Sequence, residues 1–81
     1  MITDRPWGCY EVLYDKEDFK VKKITIYPNE KISYQYHKKR NENWIIVAGV
    51  GEITLDDRKF KVCKGESIYI PMLSKHTIEN T

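Results

Sequence analysis

Only two histidines occur in this 81-residue chain, and both fall where neighbouring residues could join them as metal ligands. His37 lies two positions after Gln35 in Ile32-Ser33-Tyr34-Gln35-Tyr36-His37, a run rich in β-branched and aromatic residues. Residues i and i+2 of a strand share a face, so the Gln35 amide and the His37 imidazole can converge. Glu42 stands just beyond, and His76 follows the turn at Pro71. A lone strand histidine is more often a satisfied core or surface residue than a ligand. Several donors in joint register reverse that balance, because a metal centre needs convergent ligands. An amide oxygen, a carboxylate and two imidazoles suit a divalent cation, with Zn, Mn, Co, Fe or Ni all acceptable to the set.

The elements that must position these side chains read as strands. Short runs of Val, Ile, Tyr and Thr alternate with turn residues, and no segment sustains a helical period. The pattern predicts strands over Cys9–Tyr14, Phe19–Tyr27, Ile32–His37, Trp44–Val50, Glu52–Leu55, Lys59–Val62, Ser67–Ile70 and His76–Glu79. Pro28-Asn29, Asp56-Asp57 and Lys64-Gly65 supply turns, since Asn, Asp and Gly tolerate the backbone angles that turns require. Many short strands at this spacing predict an all-β sandwich or barrel. In the third strand, parity puts Ser33, Gln35 and His37 on one face and Ile32, Tyr34 and Tyr36 on the other. With the polar face turned into a lumen, the Ile/Tyr face needs cover, and a homodimer is expected. In the second strand the apolar phase changes between Phe19/Val21 and Ile24/Ile26, which predicts a β-bulge there or a strand that wraps between two sheets.

The size allows one small domain with a marginal core. A hydrophobic content of 41% with 32% charge reads as globular and not disordered. The net charge of +2, from 14 basic and 12 acidic residues, is too weak and too mixed to argue for nucleic acid. Lys38-Lys39-Arg40 is the one basic cluster, a solvated loop on its plainest reading. Cys9 and Cys63 lack C-x-x-C spacing and read as two buried or semi-buried free thiols. With no signal-like N-terminus and no run near ~20 apolar residues, a cytoplasmic protein off the membrane is expected.

Two gapped patterns in the chain resemble the two motifs of the cupin superfamily. In the first, Asn29, Gln35, His37, Glu42 and Gly49 stand in register, with Asn29 where the family has glycine and Gln35 where it has histidine. In the second, Gly65, Pro71, His76 and Asn80 are in register, with Leu73 at a glycine position. The chain is most similar to one branch, the cupin domain of type II mannose-6-phosphate isomerases, often fused behind a mannose-1-phosphate guanylyltransferase. The similarity rests on Arg5-Pro6-Trp7-Gly8, Tyr10-Glu11-Val12-Leu13 and Val21-Lys22-Lys23-Ile24. It continues through Ile32 to His37, through Arg40, Glu42 and Trp44, and through Glu66 to Pro71. Gln35 is a mark of this branch.

The resemblance implies a cupin-type double-stranded β-helix, or jelly-roll barrel, as a single domain over residues 1–81. Family closing strands beyond the second-motif Asn are not in this chain, so either a truncated stand-alone barrel or one completed by strand exchange in a dimer is expected. It implies a metal held by Gln35, His37, Glu42 and His76, and conversion of mannose 6-phosphate to fructose 6-phosphate. That reaction needs an electrophile at the carbonyl, a base that moves a proton between C1 and C2, and cations for the phosphate. Arg5, Arg40 and Lys75 are the phosphate candidates, and Glu52 and Lys22 the weaker candidates for the base. Trp7 and Trp44 read as core aromatics. A chain without a Gly-rich nucleotidyltransferase loop is not expected to transfer guanylyl groups. The alternative is a non-catalytic cupin that binds a sugar or metabolite.

Overall fold

The computed structural model describes residues 1–81, and every regular element in it is a strand. In chain order these are β1 (Ile2–Arg5), β2 (Gly8–Asp15), β3 (Lys20–Ile26), β4 (Glu42–Ile45), β5 (Val50–Leu55), β6 (Arg58–Cys63), β7 (Ser67–Ile70) and β8 (His76–Asn80). They pair antiparallel in three sheets, β1-β2-β3, β4-β7 and β6-β5-β8. The β5–β6 hairpin shows how the alternation builds the core. Gly51, Ile53 and Leu55 turn inward and meet Val62 across the pair, while Glu52 and Lys61 oppose each other on the outer face. Asp56 and Asp57 close that hairpin with φ of 48° and 70°, the left-handed pair that a two-residue turn between twisted strands demands. Ile53, Leu55, Val62 and Ile70 form the buried core, with Trp44, Ile46, Phe60, Ile68 and Ile78 packed around it.

The stretch between β3 and β4 departs from expectation. It is an irregular segment tied to β8, not a regular strand over Ile32–His37. Asn29 N–H donates to Asn80 O (2.8 Å), Asn80 N–H to Glu30 O (2.9 Å) and Ile32 N–H to Ile78 O (3.2 Å). Gln35 and His76 then exchange both backbone hydrogen bonds, at 3.0 and 2.7 Å. From the Lys31–Glu79 bridge to the Gln35–His76 bridge the segment advances four residues against three on β8. The extra residue acts as a bulge and reverses side-chain parity. Ile32 therefore enters the core at 6% exposure, while Tyr34 and Tyr36 each stay 46% exposed, so the three do not share an outward face.

Other differences have equally local causes. β1 is an additional strand that pairs with β2 from Ile2↔Glu11 to Arg5↔Gly8. The run expected over Trp44–Val50 breaks after Ile45 and resumes at Val50 in a different sheet. The bulge expected in the Phe19–Tyr27 strand falls on its partner: the β2–β3 register shifts between Val12 and Tyr14, and β3 itself is regular. The phase change in β3 reflects apolar residues on both faces. Ile24 and Ile26 look inward, whereas Tyr14 and Phe19 stack at the hairpin tip with ring centroids 5.0 Å apart. Cys9 and Cys63 are free thiols, and Cys63 is exposed rather than buried. A cleft of about 160 Å³ runs between β3 and β8, with Ile24, Ile26, Ile45, Val47, Val50 and Ile78 in its walls.

All four glycine positions of the two motifs have positive φ. Gly49 and Gly65 lie at 83° and 94°, and the two departures from glycine, Asn29 and Leu73, lie at 65° and 74°. Asparagine tolerates this region; leucine does not, because its Cβ crowds the following carbonyl. Leu73 is 62% exposed, so its side chain returns little burial for that strain. Leu73→Gly is expected to raise stability by about 0.5–1 kcal/mol, after allowing for the freer unfolded chain. Leu73→Ala, which keeps the Cβ, should leave the urea midpoint nearly unchanged.

Candidate metal centre

Two strand ladders and one turn deliver the ligands. His76 opens β8 opposite Leu55, and its side chain is 1% exposed beside the core. Glu42 opens β4 opposite Ile70 and turns inward on the same face as Trp44. His37 is held from the β7–β8 turn: Leu73 N–H donates to His37 O at 2.8 Å, and Met72 N–H to Asn41 Oδ1 at 2.7 Å. The ligand atoms of His37, Glu42 and His76 thereby lie within 4.8 Å of one another. Donors sharing one ion at about 2.0–2.2 Å stand about 3–4 Å apart, so the spacing is close to that of a coordination sphere.

Hydrogen bonds aim these atoms. Trp44 Nε1–H donates to Glu42 Oε1 at 2.8 Å, which leaves Oε2 pointing at the imidazoles. Oε2 lies 2.9 Å from His37 Nε2 and 3.7 Å from His76 Nε2. His76 Nδ1 lies 2.9 Å from the Ser74 carbonyl, which can only accept, so the proton sits on Nδ1 and the Nε2 lone pair faces the cluster. Arg40 Nη2 lies 3.0 Å from His37 Nε2, and a guanidinium can only donate, so in the neutral ring Arg40 occupies the lone pair that a metal would take over. Trp44 meets the His76 ring edge-on at 5.4 Å and fixes its plane. Glu42 Oε2 and His76 Nε2 are buried without any hydrogen-bond partner. Orphaned buried polar atoms are rare, and a bound cation is a direct way to satisfy a carboxylate oxygen and an imidazole lone pair at one point. The donor set fits a divalent metal.

Electrostatics agree with that use. Burial, then the Arg40 charge, holds the His37 pKa below its usual 6.5, which keeps the imidazole neutral and able to ligate. Burial alone would raise the Glu42 carboxyl, but the Trp44 hydrogen bond and then the Arg40 guanidinium outweigh it and hold the carboxyl below its usual range. Gln35 pairs directly with His76 in the narrow, doubly bonded register, where opposed side chains share a face. It lies beside the cluster and its side chain is exposed.

The remaining candidates separate clearly. Arg40 lies on the ligands themselves, with Nε 3.5 Å from Glu42 Oε2. Lys22 is on β3 opposite Val12, shares the inward face with Ile24, and its charge reaches His37. Arg5 pairs with Gly8 on β1 and reaches Tyr10. Lys75 is exposed, its backbone N–H held by Asp56 Oδ1 at 2.9 Å. Glu52 stands on the outer face between Lys61 and Glu79, turned away from His76, which corrects its candidacy as the proton-transfer base. Tyr10, unassigned from sequence, is drawn into this group; its place in the β2 alternation with Gly8 and Val12 was the available signal. Trp44 packs against the core as expected.

Comparison with known proteins agrees with this architecture. Residues 2–81 match the family described as mannose-6-phosphate isomerase C-terminal. The chain is 46% identical over 76 residues to a mannose-1-phosphate guanylyltransferase of Salmonella montevideo, and 41% identical to the alginate biosynthesis protein AlgA of Pseudomonas aeruginosa. Each alignment covers 94% of this chain but only 16% of the relative, so the chain spans about a sixth of their length. Among solved structures, KdgF from Halomonas sp. superposes with a TM-score of 0.92 at 15% identity, covering 99% of this chain and 74% of that one. The cupin domain of Schizosaccharomyces pombe Cnp3 gives 0.88 at 17%, covering 94% of this chain and 56% of that one. The fold is a cupin fold, and the chain belongs to the mannose-6-phosphate isomerase C-terminal family.

The His37 shift sets a pH dependence. The unfolded imidazole takes up a proton as pH falls through 6.5, while the folded one resists, so stability is lost on acidification below that point. Metal-free protein is expected to show a lower urea midpoint at pH 5.5 than at pH 7.5, and His37→Gln should shrink that difference. An equal pH effect in the variant would mean that other groups carry it.

Proposed function

We propose that this member of the mannose-6-phosphate isomerase C-terminal family is a metal-dependent aldose–ketose isomerase domain acting on a sugar phosphate, with mannose 6-phosphate to fructose 6-phosphate as the reaction. The observation that carries the reading is the convergence of His37, Glu42 and His76, with Glu42 Oε2 and His76 Nε2 buried and unpartnered. Gln35 joins them as the fourth ligand through its amide oxygen. A divalent ion at these atoms would supply the electrophile that polarises the sugar carbonyl.

The chain's own residues do the rest. Ser74 and Trp44 hold the His76 and Glu42 lone pairs on the cluster, so these two side chains are preset for a ligand. Arg40, bonded to His37 and close to Glu42, offsets negative charge at the rim of the cup. The lower wall, built from Ile53, Leu55 and Ile70, excludes water from the His76 side.

A non-catalytic cupin that binds a sugar or metabolite is the second reading, favoured by the outward placement of Glu52, one of the two base candidates. Purified protein incubated with Mn, Co or Zn and mannose 6-phosphate in a coupled assay separates the two. The isomerase predicts turnover that His76→Ala lowers at least ~100-fold. Metal uptake by elemental analysis without turnover supports the binding module instead.

Assembly belongs to the same proposal. A second copy covers the half-exposed rings of Tyr34 and Tyr36, as expected for an apolar face on a small domain. Analytical ultracentrifugation at high micromolar concentration is expected to show a dimer that Tyr34→Ser/Tyr36→Ser weakens; a strict monomer removes the idea.

A further inference from the structure

The inward face of the β1-β2-β3 sheet carries a cluster that the metal centre does not use. Register places Arg5 opposite Gly8, Tyr10 opposite Ile24 and Lys22 opposite Val12, so Arg5, Tyr10 and Lys22 share one face with Ile24 and Ile26. Arg5 Cζ lies 5.3 Å from the Tyr10 ring centroid and Lys22 Nζ lies 4.9 Å from it. One phenol thus gathers two cations by cation–π attraction. Neither cation has a carboxylate within 4.0 Å, although the chain carries 12 acidic residues and pairs Lys20 and Arg40 with carboxylates elsewhere.

Two like charges drawn to one ring with no counter-ion repel each other, and an anion between them relieves the repulsion. The hydroxyl adds direction. Arg5 Nη2 donates to Tyr10 Oη at 3.3 Å, so the oxygen accepts and its own proton is free to donate. The guanidinium fork, the ammonium and the phenol proton together offer donors enough for the several oxygens of a phosphoryl group, which carries more charge than a single carboxylate.

We infer that Arg5, Tyr10 and Lys22 form a phosphomonoester subsite on the inner wall, separate from the metal ligands. Lys22 shares the inward face of β3 with Ile24 and Ile26, which line the cleft that runs to β8, the strand that His76 opens. Within the sugar-phosphate reading on which this rests, the phosphate is held on the β1-β2-β3 wall. Arg40, bonded to His37, and Lys75, beside the Asp56 turn, are not its holders. Lys22, used as a cation, is then an anchor and not the proton-transfer base.

Binding of inorganic phosphate, mannose 6-phosphate and mannose, measured by titration calorimetry on the whole chain, tests the assignment. The wild type should bind mannose 6-phosphate at least tenfold more tightly than mannose. Arg5→Gln/Lys22→Met should cut that preference at least tenfold, and Tyr10→Phe severalfold, with zinc or manganese uptake and the thermal midpoint unchanged. These residues are exposed or half-exposed, so the variants retain the fold. Intact phosphate binding in the double variant, or its loss in Arg40→Gln or Lys75→Gln instead, overturns the subsite. Absence of isomerase turnover with the Arg5/Lys22 dependence intact rejects the enzyme and keeps the subsite, so the two failures are distinguishable.

Discussion

The pairing of residues 29–35 with β8 is the constraint on which the rest depends. Glu42 belongs to the β4-β7 sheet and His76 to the β6-β5-β8 sheet, and no strand ladder joins those two sheets. The junction is made by backbone hydrogen bonds from a segment that is not itself a regular strand, ending in the reciprocal Gln35–His76 pair. That pair lies two residues before His37, so it fixes where the imidazole emerges. The β7–β8 turn completes the hold through Leu73 N–H and Met72 N–H. Backbone bonds suit the task because their geometry does not depend on side-chain rotamers, and a ligand set must be held to within fractions of an ångström.

Burying Glu42 beside two imidazoles follows from the same arrangement. A half-buried carboxylate costs free energy unless its oxygens are bonded, and only Oε1 has a neutral donor, the Trp44 indole. The other oxygen faces the two imidazole nitrogens and the Arg40 guanidinium, a cation already drawn to the place a metal ion would take. The structure therefore accepts local instability at the place where an ion gains most. Such concessions are tolerated in a domain with few buried residues only when the surrounding ladders over-determine the geometry.

Much of this was legible in the sequence, for reasons that can be named. His37, Glu42 and His76 were recognisable because their register against Asn29, Gly49, Gly65 and Pro71 marks turns as well as ligands, and turn chemistry is local. The β5–β6 hairpin was legible from strict alternation and an Asp-Asp turn. What failed was parity carried across irregularities. One inserted residue between Ile32 and Gln35 sends Ile32 inward while Tyr34 stays outside, and no propensity marks such an insertion. The bulge at Leu13 shows the same limit, since the apolar phase change lay on β3 but the strand that absorbed the irregularity was β2. Glu52 and Tyr10 were indistinguishable as isolated residues; only the register, against Lys61 and Glu79 in one case and Ile24 in the other, puts them outside and inside.

The two clusters give the interior a polarity that a single site would lack. Glu42 makes the His37/His76 end attractive to cations, whereas Arg5 and Lys22 on the β1-β2-β3 wall present positive charge without counter-ions. Between a cup built for an ion and a wall of unpaired cations, a ligand is oriented by its own charge distribution. A divalent ion beside Arg40 would leave its own end net positive, so the wall claims the anionic group through its guanidinium fork, ammonium and phenol proton, and the ligand's uncharged oxygens are left to the metal. A neutral sugar would gain little from this field, and a dianion without oxygens to offer the metal would gain only half of it. The arrangement therefore favours molecules with a phosphate at one end and carbonyl or hydroxyl oxygens at the other. That selectivity comes from the separation of the two clusters along the interior, and neither cluster alone would impose it.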